Sequence, residues 1–148
     1  MRTSCRFAMA VHVLAVLAYK DGDPVTSALL AGSVNTNPVI IRRLLLSLKQ
    51  ARLIETRKGV GAGSRLSRSP ARINLAQIYQ AVESSESFAT PARKPDSGCP
   101  VGNCIRETLA KVFASAESAL EQDLEKTTLA DVVRAAREHC SQTPKSTS

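Results

Sequence analysis

Residues 37–53, Asn-Pro-Val-Ile-Ile-Arg-Arg-Leu-Leu-Leu-Ser-Leu-Lys-Gln-Ala-Arg-Leu, constrain this chain more than any other stretch. Asn37 has a short acceptor side chain suited to an orphan backbone N–H, and Pro38 suits the first helical position, where no backbone donor is needed. A helix is expected to start here. At about 3.6 residues per turn, Ile40, Ile41, Leu44, Leu48 and Ala51 share one face, while Val39, Arg42, Arg43, Leu46, Lys49 and Gln50 take the other face or its flanks. One face is suited to packing and the other is cationic. Val39 and Leu46 stand among the charges, where a merely solvated face has no use for them, so the outer face is expected to meet a partner.

The neighbouring residues indicate what that partner is. Thr26 can cap a short helix over 27–33 with Leu29 and Leu30 pointing inward, and the turn Val34-Asn35-Thr36 joins it to the main helix. Two helices and a tight turn form a helix-turn-helix. After the main helix, residues 53–57 have strand composition, 58–64 (Lys-Gly-Val-Gly-Ala-Gly-Ser) form a glycine-rich tip, and 65–68 can return as a second strand, so a hairpin wing is expected. Nine basic residues stand between Arg42 and Arg72 against Glu55 alone, a local charge of +8 in a chain whose total is +7. Positive charge concentrated in this way is the footprint of a polyanion partner. Aromatic residues make up 3% of the chain and none is interleaved with those cations, which favours duplex DNA over single strands that need stacking platforms.

The first apolar run, 7–19, follows a basic start and is broken by His12, a layout shared with secretory signal peptides. It is shorter than the ~20 apolar residues a membrane helix needs. A first core helix behind the recognition helix is the reading taken here, in a cytoplasmic protein with no membrane span. Asn74 can cap a helix over 75–83 striped by Leu75, Ile78, Tyr79 and Val82, and residues 84–98 are rich in Ser, Pro and charge, as expected of a hinge. Beyond Gly102, Ile105, Leu109, Val112, Ala116, Leu120 and Leu124 recur at helical spacing, which predicts a long amphipathic helix. Thr128 then caps a last helix over 129–139. The expected organisation is a winged helix-turn-helix domain over 1–83, a hinge and cysteine loop over 84–104, a dimerisation helix and terminal helix over 105–140, and a disordered tail over 141–148.

In the order of these elements, the 37–44 helix start, the Gly59-x-Gly61-x-Gly63 tip and the cysteine-containing loop before a long helix, the chain resembles the Rrf-two family of bacterial, IscR- and NsrR-like winged-helix regulators. The resemblance covers nearly the whole chain. It implies a homodimer built on the long and first helices, with each recognition helix in a major groove and each wing toward the minor groove. It further implies that Asn37, Val39, Arg42 and Arg43 approach base edges while Lys49, Arg57, Lys58 and Arg65 approach phosphates. The chemistry agrees in kind, because arginine donates two parallel bonds to guanine, an apolar side chain suits a thymine methyl, and a two-fold dimer wants a palindromic operator.

Four cysteines are present: Cys5, Cys99, Cys104 and Cys140. Cluster-binding relatives carry three cysteines in the loop before the long helix, whereas this loop has Cys99-Pro-Val-Gly-Asn-Cys104. No resident cofactor is expected; an iron–sulfur cluster is the alternative, to which His12 could supply a ligand across a dimer beside Cys99 and Cys104. A thiol switch is the competing reading, with Cys104 at the start of the long helix and Cys99 near enough in sequence to resolve an oxidised form. No nucleophile and base pair off in any enzyme pattern, and no Gly-Lys-Ser/Thr follows the glycines to make a phosphate loop. The expected function is a sequence-specific DNA-binding repressor answering redox or thiol stress through Cys99 and Cys104. A small thiol-dependent redox or metal-handling protein would instead keep its activity without Arg42 and Arg43. A non-specific nucleic-acid-binding protein would hold scrambled duplexes equally well.

Overall fold

A computed structural model describes residues 5–83, 88 and 90–142. The first apolar run forms α1 (Arg6–Tyr19), which buries Ala10, Val13, Leu14 and Leu17 at the centre of the core. A turn through Asp21 and Gly22, both at positive φ, leads to α2 (Ser27–Val34), whose N-cap Thr26 accepts a bond from the Leu29 N–H at 3.2 Å. Leu30 is buried as expected, but Leu29 is 50% exposed. Successive helical residues differ by about 100°, so the two leucines do not share the inward direction.

Asn35, left-handed at φ 60°, closes α2, and α3 (Pro38–Gln50) follows within three residues. Asn37 Oδ1 accepts from the Val39 N–H at 2.9 Å, and Pro38 takes the first turn. The face that packs is Ile41, Leu44, Leu45 and Leu48. The expected face is corrected in two places: Ile40 and Ala51 are exposed, and Leu45 takes the buried place. Three of the expected residues define the stripe correctly, but its centre passes between Leu44 and Leu45, which turns Ile40 outward.

Arg52 at φ 61° turns the chain into β1 (Ile54–Arg57), which pairs antiparallel with β2 (Gly63–Leu66). The register sets Ile54 opposite Leu66 and Arg57 opposite Gly63. The second strand therefore starts two residues earlier than the sequence suggests, and the tip is shorter. The cause is Val25, which joins the hairpin through Val25 N–H to Ser64 O at 2.9 Å and Ser64 N–H to Val25 O at 2.8 Å. Gly63 permits this approach, since a Cβ there would lie 2.7 Å from the Val25 nitrogen.

After a single 3₁₀ turn (Pro70–Arg72), α4 (Leu75–Val82) begins with a capping box in which Asn74 and Gln77 each bond the other's backbone N–H. Ala76, Ile78 and Val82 enter the core, and Tyr79 meets Phe7 edge-on at 5.5 Å. The long helix α5 (Pro100–Leu124) starts at Pro100, ahead of the expected residue 105, because Pro100 occupies the first helical position after Cys99. It has no buried residue. The last helix, α6 (Leu129–Gln142), runs three residues past the expected end at 139. It returns to the winged body: Leu129 is fully buried, its N–H donates to Ile73 O at 2.8 Å, and Leu75 N–H donates to Thr127 O at 3.0 Å. The expected hinge lies partly, and the expected tail mostly, outside the described residues.

Candidate nucleic-acid interface

Packing four residues of α3 into the core determines what the helix shows outside. Opposite Ile41, Leu44, Leu45 and Leu48, helical geometry places Val39, Arg43, Leu46 and Gln50 along the outermost crest, with Arg42 and Lys49 on one flank. Val39 is 46% and Leu46 58% exposed. The flank faces the wing across a cleft of about 600 Å³ lined by Arg42, Leu46, Lys49, Arg57 and Lys58. Thr26 and Ser27, at the start of α2, line the same cleft. The fold thus gathers cations from residues up to sixteen positions apart, Arg42 to Lys58, onto one concave surface.

Among the described residues, Arg42, Arg43, Lys49, Arg57 and Lys58 make no ion pair. Their charge is available to an outside anion. Arg65 differs, because its guanidinium meets Glu55 across the hairpin at 3.2 Å. That pair is more than half exposed, so water screens it and it holds Arg65 only weakly. Asn37 has its side-chain oxygen committed to the cap, which leaves its amide N–H groups for a partner. Sequence reasoning missed Thr26 and Ser27 as lining residues. The signal was there in the cap position, since a helix N-terminus carries unpaired N–H groups, but their distance from the wing was not.

The cysteines are arranged differently from the expectation. All four are free and exposed. Cys99 is the N-cap of α5 and Cys104 its fifth residue, so Cys104 lies inside the helix instead of opening it. Cys99 has extended backbone just outside the helix and Cys104 stands more than one turn inside it, which puts their Cα atoms roughly 9 Å from each other. His12, on α1, bonds Ser33 Oγ through Nε2 at 3.0 Å. Around this loop, Arg106 Nη2 donates to Pro91 O at 2.6 Å and Arg93 O at 3.0 Å, and Gly102 lies so close to the Asp96 carbonyl that a Cβ would come within 2.7 Å of it. No helix among the described residues is long and apolar enough to cross a membrane.

Comparison with known proteins gives this geometry a context. A family model, Rrf2, described as an iron-dependent transcriptional regulator, matches residues 3–135. YwnA of Bacillus subtilis (strain 168), named as an HTH-type transcriptional regulator, is 37% identical over 128 residues, covering 86% of this chain and 94% of its own. A crystal structure described as that of a DNA-binding protein superposes with a TM-score of 0.69 at 35% identity, over 86% of this chain and 97% of the other. IscR of T. potens superposes with a TM-score of 0.69 at 22% identity, over 98% and 93% of the two chains, which shows the shared fold. Iron, which the family description implies, does not fit the donors of one chain: among the described residues no three His, Cys, Asp or Glu side chains converge. The family match over most of the chain and the exposed cationic helix and wing lead to one conclusion: this chain belongs to the Rrf2 family of DNA-binding transcriptional regulators and is not an enzyme.

Proposed function

We propose that the protein is a cytoplasmic, homodimeric repressor that binds a palindromic operator through α3 and the wing and releases it when Cys99 and Cys104 are oxidised. The observation carrying the DNA reading is the cleft that joins Arg42 and Lys49 of α3 to Arg57 and Lys58 of the wing. Its positive lining suits a strand of phosphates, with Val39, Arg42 and Arg43 directed at base edges and Lys49, Arg57, Lys58 and Arg65 at the backbone. Support for the dimer comes from α5, a 25-residue helix without a buried residue whose Val101, Val112 and Leu120 are exposed. An apolar stripe of that length is stabilised by a second copy of itself. Two copies related by a two-fold axis would read two inverted half-sites.

Support for the thiol switch comes from the start of α5. Disulfide formation would remove two protons and two electrons from Cys99 and Cys104, with a peroxide as acceptor reduced to water and the conjugate alcohol or a second water. Cα atoms roughly 9 Å apart on a helix exceed the ~7 Å limit for a disulfide, so oxidation within one chain requires the first turn of α5 to unwind. Unwinding would draw Gly102 off the Asp96 carbonyl and loosen the Arg106 clamp on residues 91 and 93, moving the long helix against the winged body. His12 is assigned no ligand role in this reading, because its ring is engaged by Ser33.

The test is selection of duplexes from a random pool by the reduced protein, followed by transcription from a promoter carrying the selected site. Repression that is relieved by peroxide, and retained in Cys99→Ser and Cys104→Ser after the same treatment, is the expected result. Enrichment of no sequence rejects operator binding, raised transcription rejects the repressor, and relief that persists in both serine variants rejects the switch.

A further inference from the structure

Leu46 serves neither the core nor the helix in any way that requires leucine. It is 58% exposed and lies at the mouth of the cleft between α3 and the wing. Arg, Lys, Gln and Glu support a helix about as well as leucine does, so helix formation does not explain an exposed apolar residue here. The arrangement around it narrows the choice of partner. Val39, Arg43 and Leu46 follow one another at spacings of four and three along the outer crest, within about 60° of each other, so the crest alternates apolar, cationic, apolar. Arg42 and Lys49 flank it with positive charge and no acidic residue stands on α3. A protein partner would need an apolar patch rimmed by carboxylates to match both features, whereas any thymine-containing duplex DNA supplies anionic phosphates at the flanks and apolar methyl groups in the major groove.

We infer that Leu46 is a specificity residue that packs on a thymine methyl group, so that α3 reads thymine at both ends of its crest with guanine or another acceptor-bearing base between. This inference rests on the operator-binding reading and deepens it. Seven residues separate Val39 from Leu46, an axial distance of about 10 Å, which corresponds to about three base-pair steps of 3.4 Å. The two thymines in each half-site are therefore about three base pairs apart, on either strand, since both strands present the methyl group to the major groove. Arg43 lies between them, in position to donate to the O6 and N7 of a guanine.

The experiment replaces thymine by uracil, one position at a time, in a duplex selected by the wild-type protein. This removes the C5 methyl and leaves every hydrogen-bonding group of the base in place. At two positions about three base pairs apart, wild-type affinity is expected to fall about fourfold, the value of one buried methyl-sized group. Leu46→Ala should be indifferent to uracil at one of them and Val39→Ala at the other, while Leu46→Met, which keeps the apolar contact, should retain the penalty. Because Leu46 is exposed and alanine is the strongest helix former, the variant keeps its fold, and circular dichroism verifies this. Uracil penalties that are identical in Leu46→Ala and wild type at every position, or absent from wild type altogether, would overturn the inference while leaving operator binding standing. Failure of the wild type to enrich any duplex would overturn both.

Discussion

The recognition helix α3 and the long helix α5 are built to opposite plans. With 13 residues, α3 sends four side chains into the core, whereas α5 has 25 residues and buries none. Both are amphipathic, and what separates them is whether the apolar side meets its partner inside one chain. The core of α1, α2, α3 and α4 completes α3 and leaves its other side free for DNA. Among the described residues, the apolar side of α5 is met within its own chain by Phe88, stacked on Phe113 at 4.7 Å, and by α4 where it lies alongside. Apolar burial is the main stabilising term, so α3 should depend on composition alone and α5 on concentration.

The largest effect expected from this contrast is on the core. Leu44→Ala should cost about 2–5 kcal/mol, as large-to-small changes in close-packed cores do, and it should lower the urea midpoint at every protein concentration. Val112→Ala in dilute protein should change stability by no more than about 0.5 kcal/mol, and equal losses in the two variants would break the contrast. Val112→Glu then addresses assembly. Sedimentation should show the dimer weakened by at least about tenfold, since each of two equivalent valines stands to lose about 1.5 kcal/mol or more of burial. The far-ultraviolet spectrum of the winged body should be unchanged.

Smaller effects sharpen the DNA side of the comparison. Arg43→Ala should cost about 1–3 kcal/mol of discrimination between the selected duplex and one altered at a single guanine, with binding to scrambled duplex little affected. Lys58→Ala should act uniformly across sequences and reduce the log-log salt slope by about 0.9 per protomer. The smallest effect concerns the seat of α6. Asp131 accepts from the Thr128 backbone N–H at 2.9 Å and pairs with Arg134 at 2.7 Å. The Thr128 backbone and hydroxyl, and then Arg134, hold its carboxyl below the ordinary 3.8. A lowered folded-state pKa stabilises the fold above the unfolded value and loses that contribution as pH falls through the folded one. The advantage of wild type over Asp131→Asn in urea midpoint should therefore be full at neutral pH and shrink below about pH 3.8.

Much of the interface was legible from residue order. Caps at Thr26, Asn37, Asn74 and Thr128 are local chemistry, and each formed the bond its side chain suggests. The charge asymmetry of 42–72 was equally plain, because charge is carried by residue type and not by conformation. Less legible were Leu29, Ile40 and Leu45, whose inward or outward direction turns on a rotation of one residue about the helix axis. Periodicity places an apolar stripe to within about one residue, and the neighbours decide its centre.

By itself the sequence determined where the four side-chain-capped helices begin, that a glycine-rich hairpin follows the recognition helix, and that residues 42–72 are strongly cationic. Capping, turn preference and formal charge act over a few residues, so a linear text carries them. Tertiary structure alone decided that Val25 pairs with Ser64 and moves the wing's register, that Arg65 faces Glu55, and that Leu129 docks beside Ile73 and brings α6 back to the winged body. Each of these depends on two segments far apart in sequence competing for the same buried surface or backbone hydrogen bonds, and the outcome of that competition is set only when the whole chain has packed.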